Sequence, residues 1–313
     1  MQNKIIAVAG PTASGKTALA IEISKRFHGE VVSCDSMQIY RGMDIGTAKP
    51  SKAEMCGIPH HMIDIAEPDE RYSVAEFVKA ARACIDDILA RGRLPVLAGG
   101  TGLYMDSIIN NTDFAEQKSD GKFRGELQQY AEKHGVDALH AMLAERDPEA
   151  AEKIHPNNIR RVIRALEVCH LTGKTFTQVN REALREPIYD ALIFGLEMPR
   201  DVLYGRINER VDRMMSEGLE DEVRRLYDSG IDPDCTAMQA IGYKELAEYF
   251  RGESGRDEAI EKIKRESRRY AKRQLTWFKR NPKIIWLMLQ DCYSLNKIRE
   301  KCFTFINKFG IIE

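Results

Sequence analysis

Gly10-Pro11-Thr12-Ala13-Ser14-Gly15-Lys16-Thr17 has the G-x-x-x-x-G-K-[ST] spacing of a phosphate-binding loop. The chemistry of such a loop is anion capture. Its glycines let the backbone wrap an anion with the N–H groups turned inward. A helix N-terminus adds partial positive charge, Lys16 adds a full one, and the Thr17 hydroxyl can reach a Mg²⁺ ion. A di- or triphosphate is the expected ligand, and the loop alone does not say whether a nucleotide carries it. Asp35, in Asp35-Ser36-Met37-Gln38, is a second reactive candidate. A carboxylate beside a phosphate loop can hold Mg²⁺ through water or take a proton from a bound nucleophile; the plain alternative is a helix cap or a turn. Gly99-Gly100-Thr101-Gly102 is a third candidate, letting backbone come close to a ligand with Thr101 as the hydrogen-bonding group.

These groups need elements to position them. Lys4-Ile5-Ile6-Ala7-Val8-Ala9 before the loop reads as a buried parallel strand, and 18–23 after it as a helix. Further strands are expected at 30–35, 94–98, 191–196 and 283–287. A helix is expected from 74 to about 91, with Ser73 as its N-cap. This alternation predicts an α/β fold: a P-loop NTPase-like parallel sheet flanked by helices. Ligands of such sheets sit at the carboxyl ends of the strands. The loop, Asp35 and Thr101 all follow predicted strands, so they should share one crevice. Residues 113–188 are polar and helix-periodic, which reads as a helical insertion domain. That leaves 1–112 and 189–313 as the core.

Composition narrows the class. The chain has 313 residues and a net charge of −1, so bulk charge identifies no partner. The start runs directly into the first strand, leaving no room for a signal peptide, and no apolar run reaches bilayer length. The seven cysteines are scattered and never in C-x-x-C spacing. That argues against a disulfide framework or a zinc site and fits a reducing cytoplasm. His60-His61 would point opposite ways in an extended segment and so would not chelate one ion. The glycine-bearing segment 42–50 reads as either a surface loop or a substrate-contacting one.

Charge is concentrated in one place. Arg265, Arg268, Arg269, Lys272 and Arg273 recur at helical spacing as a stripe, while Ile263, Tyr270, Gln274 and Trp277 share another face, expected to pack on the core. Like charges four residues apart destabilise a helix, so something must offset them, and nucleic-acid phosphates are the natural candidate. Arg160, Arg161 and Arg164 follow a cap at Asn157 or Asn158 inside the insertion. They are solvated, salt-bridged or RNA-contacting.

Together these stretches resemble the bacterial tRNA dimethylallyltransferases, also called tRNA isopentenyltransferases. The match runs through Gly10 to Thr17, Asp35 to Pro50, Pro59-His60-His61, Gly99 to Tyr104, His155 to Val168, Ala240 to Glu245 and Arg268 to Phe278. Residues 112–130 and those beyond 290 match least, and the cysteine–histidine finger of eukaryotic relatives has no counterpart. The resemblance implies transfer of a dimethylallyl group from dimethylallyl diphosphate to N6 of the adenosine 3′-adjacent to the anticodon of tRNA. Residues 10–17 (Gly10, Pro11, Thr12, Ala13, Ser14, Gly15, Lys16, Thr17) would hold the diphosphate, with Arg206 and Arg210 in support and Mg²⁺ at Thr17. Asp35 would act as general base, aided by Thr101, with Lys16 stabilising the leaving group. Contacts to tRNA would come from Asp35, Ser36, Met37, Gln38, Thr101, Arg124, Arg160, Arg161, Val162, Ile163, Arg164, Gly242, Arg268, Arg269, Lys272 and Arg273. The implied partners are the anticodon arm and the diphosphate, for a cytoplasmic protein acting as a monomer. A P-loop kinase of a small metabolite and a non-catalytic RNA-binding protein are the alternatives.

Overall fold

Strands apolar on both faces must be covered from both sides, and that requirement organises this chain. The computed structural model describes residues 3–114, 120–289 and 294–311. β1 (Lys4–Ala9) is fully buried from Ile5 to Ala9. α1 (Lys16–Arg26) follows the phosphate loop, and then come β2 (Gly29–Ser33), β3 (His60–His61) and α2 (Val74–Ala90). Ser73 caps α2 as expected. Its hydroxyl accepts the Glu76 N–H while the Glu76 carboxylate accepts the Ser73 N–H. β4 (Leu94–Gly99) and α3 (Gly102–Ile109) lead into a helical run: α4 (Gly121–His134), α5 (Val136–Arg146), α6 (Pro148–Lys153), α7 (Ile159–Thr172) and α8 (Phe176–Glu182). The chain then returns through β5 (Asp190–Glu197), α9 (Arg200–Ser216), α10 (Leu219–Asp228), α11 (Tyr243–Phe250), α12 (Arg256–Phe278), β6 (Ile285–Met288) and α13 (Ser294–Lys308).

The strands form one six-stranded sheet in the order β3-β2-β4-β1-β5-β6, with every pairing parallel. β1 is central, its Ala9 level with Gly99 of β4 and Gly195 of β5. The connection after β1 leads to β2 on one side, and the chain after β4 returns to β5 on the other. The ends of β1 and β4 are therefore a topological switch point, where such sheets open a crevice. β3 was not foreseen in the sequence, because a two-residue strand shows no period. β6 begins two residues later than its apolar run suggested.

The chain divides into two compact units, Met1–Ile109 with Ile188–Glu313, and Asn110–Pro187. The first contains the sheet, with a core built from Ile6, Val8, Leu19, Phe27, Val96, Phe194 and Leu196. The second is helical, with Leu127, Leu139, Leu143, Val162 and Leu166 at its centre. Within it, buried Asp147 caps α6 through the Ala150 N–H and also accepts from the Thr177 N–H and hydroxyl. Cys34, Cys56, Cys84, Cys169, Cys235 and Cys302 are free thiols, and Cys292 lies outside the described residues. No helix among the described residues is long and apolar enough to cross a membrane.

Candidate active site

The turn from β1 into α1 makes the anion cradle. Gly15 sits at φ 91° and Ala13 at φ 63°, left-handed conformations that rotate successive N–H groups toward one side. Ser14 is buried, and its hydroxyl oxygen has no hydrogen-bond partner among the described residues. Lys16 Nζ donates to Pro11 O at 2.8 Å. Burial, and then the nearby Arg210 charge, pushes the Lys16 pKa down to about 8, while Asp35 acts in the opposite direction. Arg210, from α9, is likewise lowered by burial and by Arg213, and Asp35 opposes this. Two cations and one carboxylate thus act on one another across a single crevice of about 320 Å³.

That crevice lies wholly in the sheet-bearing unit. Thr12, Lys16, Thr17, Asp35 to Gln38, Arg210, Gly242, Tyr270 and Arg273 line it. Asp35 Oδ1 accepts the Met37 N–H at 2.9 Å, which fixes the carboxylate in a tight turn. Thr101 does not face the crevice directly. Its hydroxyl oxygen accepts the Ser36 N–H at 3.0 Å, and its own N–H donates to Cys34 O at 3.1 Å. Thr101 therefore clamps the residues on either side of Asp35. Arg206 lies one turn before Arg210 and outside the crevice lining.

One wall of the crevice is apolar, built from Ile207, Val211, Met214, Leu219 and Ile263. Another is the loop Gly46 to Ala48, held from two directions. Gln38 Nε2 donates to Thr47 O and Ala48 O, at 3.3 and 3.2 Å. Glu222, 2 % exposed on α10, accepts N–H bonds from Asp44, Ile45 and Gly46 at 2.9, 2.8 and 3.1 Å and the Tyr243 hydroxyl at 2.5 Å. Within segment 42–50, left open between surface and substrate loop in the sequence, residues 44–48 are tied by these bonds and Gly46, Thr47 and Ala48 form a crevice wall.

Sequence reasoning missed three residues here. Glu222 shares the buried face of α10 with Leu219 and Val223, an i, i+3, i+4 pattern in which a carboxylate is out of place. Tyr270 and Gln274, expected to pack on the core, also line the crevice, and Gln274 is buried as expected. Burial, and secondly Asp35, pushes the Tyr270 pKa up to about 12.

Several residues expected to touch RNA are placed otherwise. Val162 and Ile163 are 0 % and 7 % exposed in the core of the helical unit, so their side chains have no surface to offer. They belong to the apolar face of α7. Arg124 makes a two-pronged pair with the buried Glu167 at 2.7 Å on both oxygens, and Arg164 joins it at 2.5 Å. Both guanidiniums thus neutralise a core carboxylate. Arg160 and Arg161 remain exposed on the same helix.

The basic stripe on α12 is not single-signed either. Arg269 pairs with Glu266 at 2.7 Å and Arg265 approaches the same carboxylate at 3.6 Å, while outside the stripe Lys264 pairs with Asp212 at 2.8 Å and Lys262 with Glu248. Arg268 donates to Asn208 Oδ1 at 2.6 Å. Acids of the protein therefore offset part of the repulsion that the sequence left to an external polyanion. Lys272 is exposed, and Arg273 stacks over Tyr270 at 5.6 Å inside the crevice. His60 and His61 diverge to Ile58 O and to the Glu30 carboxylate.

A family model described as IPP transferase matches residues 38–281, and one described as isopentenyl transferase matches residues 3–67. A tRNA dimethylallyltransferase of Geobacillus thermodenitrificans is 53 % identical over 98 % of this chain and 97 % of its own. Among solved structures, a tRNA isopentenylpyrophosphate transferase from Bacillus halodurans has a TM-score of 0.73 and 47 % identity, covering 98 % and 97 % of the two chains. A eukaryotic dimethylallyltransferase acting on tRNA has a TM-score of 0.83 at 29 % identity, covering 98 % of this chain and 80 % of that one.

Proposed function

The chain belongs to the IPP transferase family, and from that premise we propose that it transfers a dimethylallyl group from dimethylallyl diphosphate to tRNA, at N6 of the adenosine 3′-adjacent to the anticodon. The observation that carries this reading is the joint lining of one crevice by an anion cradle, a carboxylate and an apolar wall. A volume of about 320 Å³ is at the small end for ligand pockets, which run about 300–1,000 Å³, and suits a diphosphate on a short hydrocarbon chain. The kinase alternative is not favoured, since the relatives named above are transferases that act on tRNA.

The chemistry follows from the side chains. The exocyclic amine of adenine is a poor nucleophile because its lone pair is delocalised into the ring. Asp35 accepts a proton from it as the C–N bond forms, assistance worth typically 10²–10⁴-fold. The allylic C–O bond breaks, and its electrons leave with the diphosphate. Lys16, the loop N–H groups and Arg210 meet that growing charge, already positioned and without reorganisation. The apolar wall keeps water from the electron-poor allylic carbon. Thr17, whose side chain is exposed at the crevice, offers a hard oxygen donor that suits Mg²⁺, with the diphosphate oxygens beside it. When bound, that ion supplies charge neutralisation to the diphosphate.

The target base must leave its stack, at a cost of a few kcal/mol. Arg160 and Arg161 of the helical unit, with Arg268, Arg269, Lys272 and Arg273 of α12, supply cations for the phosphates of the anticodon arm. The reading places a monomeric enzyme in the cytoplasm with its tRNA. Its test is mass spectrometry of an unmodified tRNA after incubation with the purified protein, Mg²⁺ and dimethylallyl diphosphate. A mass gain of one dimethylallyl group on that adenosine is expected. An unmodified tRNA beside phosphorylated metabolite and ADP in a parallel ATP incubation would overturn it.

A further inference from the structure

Gln274 is a primary amide, 5 % exposed, on a helix face that otherwise buries Ala259, Ile263, Ala271 and Phe278. A buried amide survives only if its donor and acceptor are both used, and each is used on backbone. Its Oε1 accepts the N–H of Thr12 at 2.8 Å, inside the anion cradle. Its Nε2 donates to Gly100 O at 3.1 Å, one residue before Thr101. The two loops come from different strand ends, β1 and β4, and Gln274 spans them. The fit is close: a Cβ built on Gly100 would stand 2.0 Å from Gln274 Nε2.

We propose that Gln274 is a positioning residue that sets the separation between the diphosphate cradle and the carboxylate-bearing loop, and so between leaving group and nucleophile. The proposal rests on the transfer reaction put forward above and deepens it. One loop holds the group that departs. The other, through the Thr101 clamp on Ser36, holds Asp35, which deprotonates the incoming amine. Reacting atoms must lie about 3–3.5 Å apart, and a misplacement near 1 Å costs on the order of 10²-fold in rate. A strut of fixed length that touches both backbones is a direct way to meet that tolerance. α12 also carries Arg268, Arg269, Lys272 and Arg273, so a polyanion seated on those residues bears on the same strut.

The test pairs two substitutions. Gln274→Ala removes the strut, and Gly100→Ala forces a methyl group into it. Single-turnover transfer to an unmodified anticodon stem-loop is measured beside tRNA affinity, the inhibition constant for inorganic pyrophosphate and the thermal midpoint. Each single variant should lose about 10²-fold in the transfer step, with tRNA affinity and pyrophosphate inhibition changed much less. The double variant should be no slower than Gln274→Ala alone, because the methyl group then meets empty space. A Gln274→Ala rate within threefold of wild type overturns the proposal, as does a double variant in which the two losses multiply. A Gln274→Met variant, similar in length and apolar, keeps the test decisive if the alanine variant folds poorly: it should lose the transfer rate at a normal thermal midpoint. Absence of transfer by the wild-type protein would refute the reaction itself, a different outcome from any of these.

Discussion

Replacing Glu222 by glutamine tests how strongly the crevice wall is held. The carboxylate accepts four hydrogen bonds while 2 % exposed, three of them from backbone N–H groups that cannot turn away. An amide keeps one oxygen. The less costly orientation leaves that oxygen facing Asp44 and Ile45, and puts the NH₂ group against Gly46 N–H and the Tyr243 hydroxyl. The hydroxyl can rotate to accept; the Gly46 N–H cannot, and becomes a buried donor without a partner, at about 1–3 kcal/mol. The two retained bonds lose their charge assistance, about 1 kcal/mol each. Against this, an amide is easier to desolvate than a carboxylate, which returns part of the loss. The net expectation is a destabilisation of about 2–4 kcal/mol. If the loop opens locally rather than the whole unit unfolding, the loss appears in catalysis instead, because Gly46, Thr47 and Ala48 no longer line the crevice. Urea unfolding followed by intrinsic fluorescence, together with steady-state transfer kinetics, covers both outcomes. A Glu222→Gln protein within 0.5 kcal/mol of wild type and with unchanged kcat/KM would refute the reasoning, since that is the range of an indifferent surface change.

Other expectations follow from single groups. Asp35→Asn should keep tRNA affinity while transfer falls by about 10²–10⁴-fold, read by filter binding and single-turnover assay; near-normal turnover would remove Asp35 from the base role. Lys16, with a pKa lowered from 10.5 to about 8, carries a penalty for its charge below pH 8 that is relieved as pH rises through the folded pKa toward 10.5, so its contribution to stability grows over that window. Pyrophosphate binding should restore the charge and take up a proton above about pH 8, seen by calorimetry in buffers of different ionisation enthalpy and absent in Lys16→Met. In the helical unit, burial raises the Glu167 pKa, but hydrogen bonds from Arg124, Arg164 and the Asp120 N–H outweigh it and hold the carboxyl low. The stability it provides is therefore present above the ordinary glutamate range and lost as pH falls through the folded value, and Glu167→Gln should flatten that acid limb in a circular-dichroism titration. Arg160→Glu with Arg161→Glu should weaken tRNA binding and reduce its salt slope by roughly 0.7–0.9 per lost phosphate contact, with an unchanged thermal midpoint.

Much of the fold was legible because its signals are local. The phosphate loop, the Ser73 cap and the apolar strands each follow from residues a few positions apart, and alternation of strand and helix fixes a parallel sheet. The identities of Lys16, Thr17, Asp35 and Thr101 were likewise written in their own segments. Tertiary structure decided which side chains complete the site. Gln274 reaches Thr12 across 262 positions of sequence, and Glu222 reaches Asp44 across 178. No periodicity announces where a buried amide or carboxylate will find its partner. The same limit explains the burial of two residues expected at the RNA: Val162 and Ile163 stand beside arginines in the chain, yet a helix turns about 100° per residue, and their side chains face the core while Arg160 and Arg161 face solvent. Sequence determined the local chemistry of each loop; only packing, which satisfies buried polar groups with whatever backbone lies opposite, determined how those loops are held together.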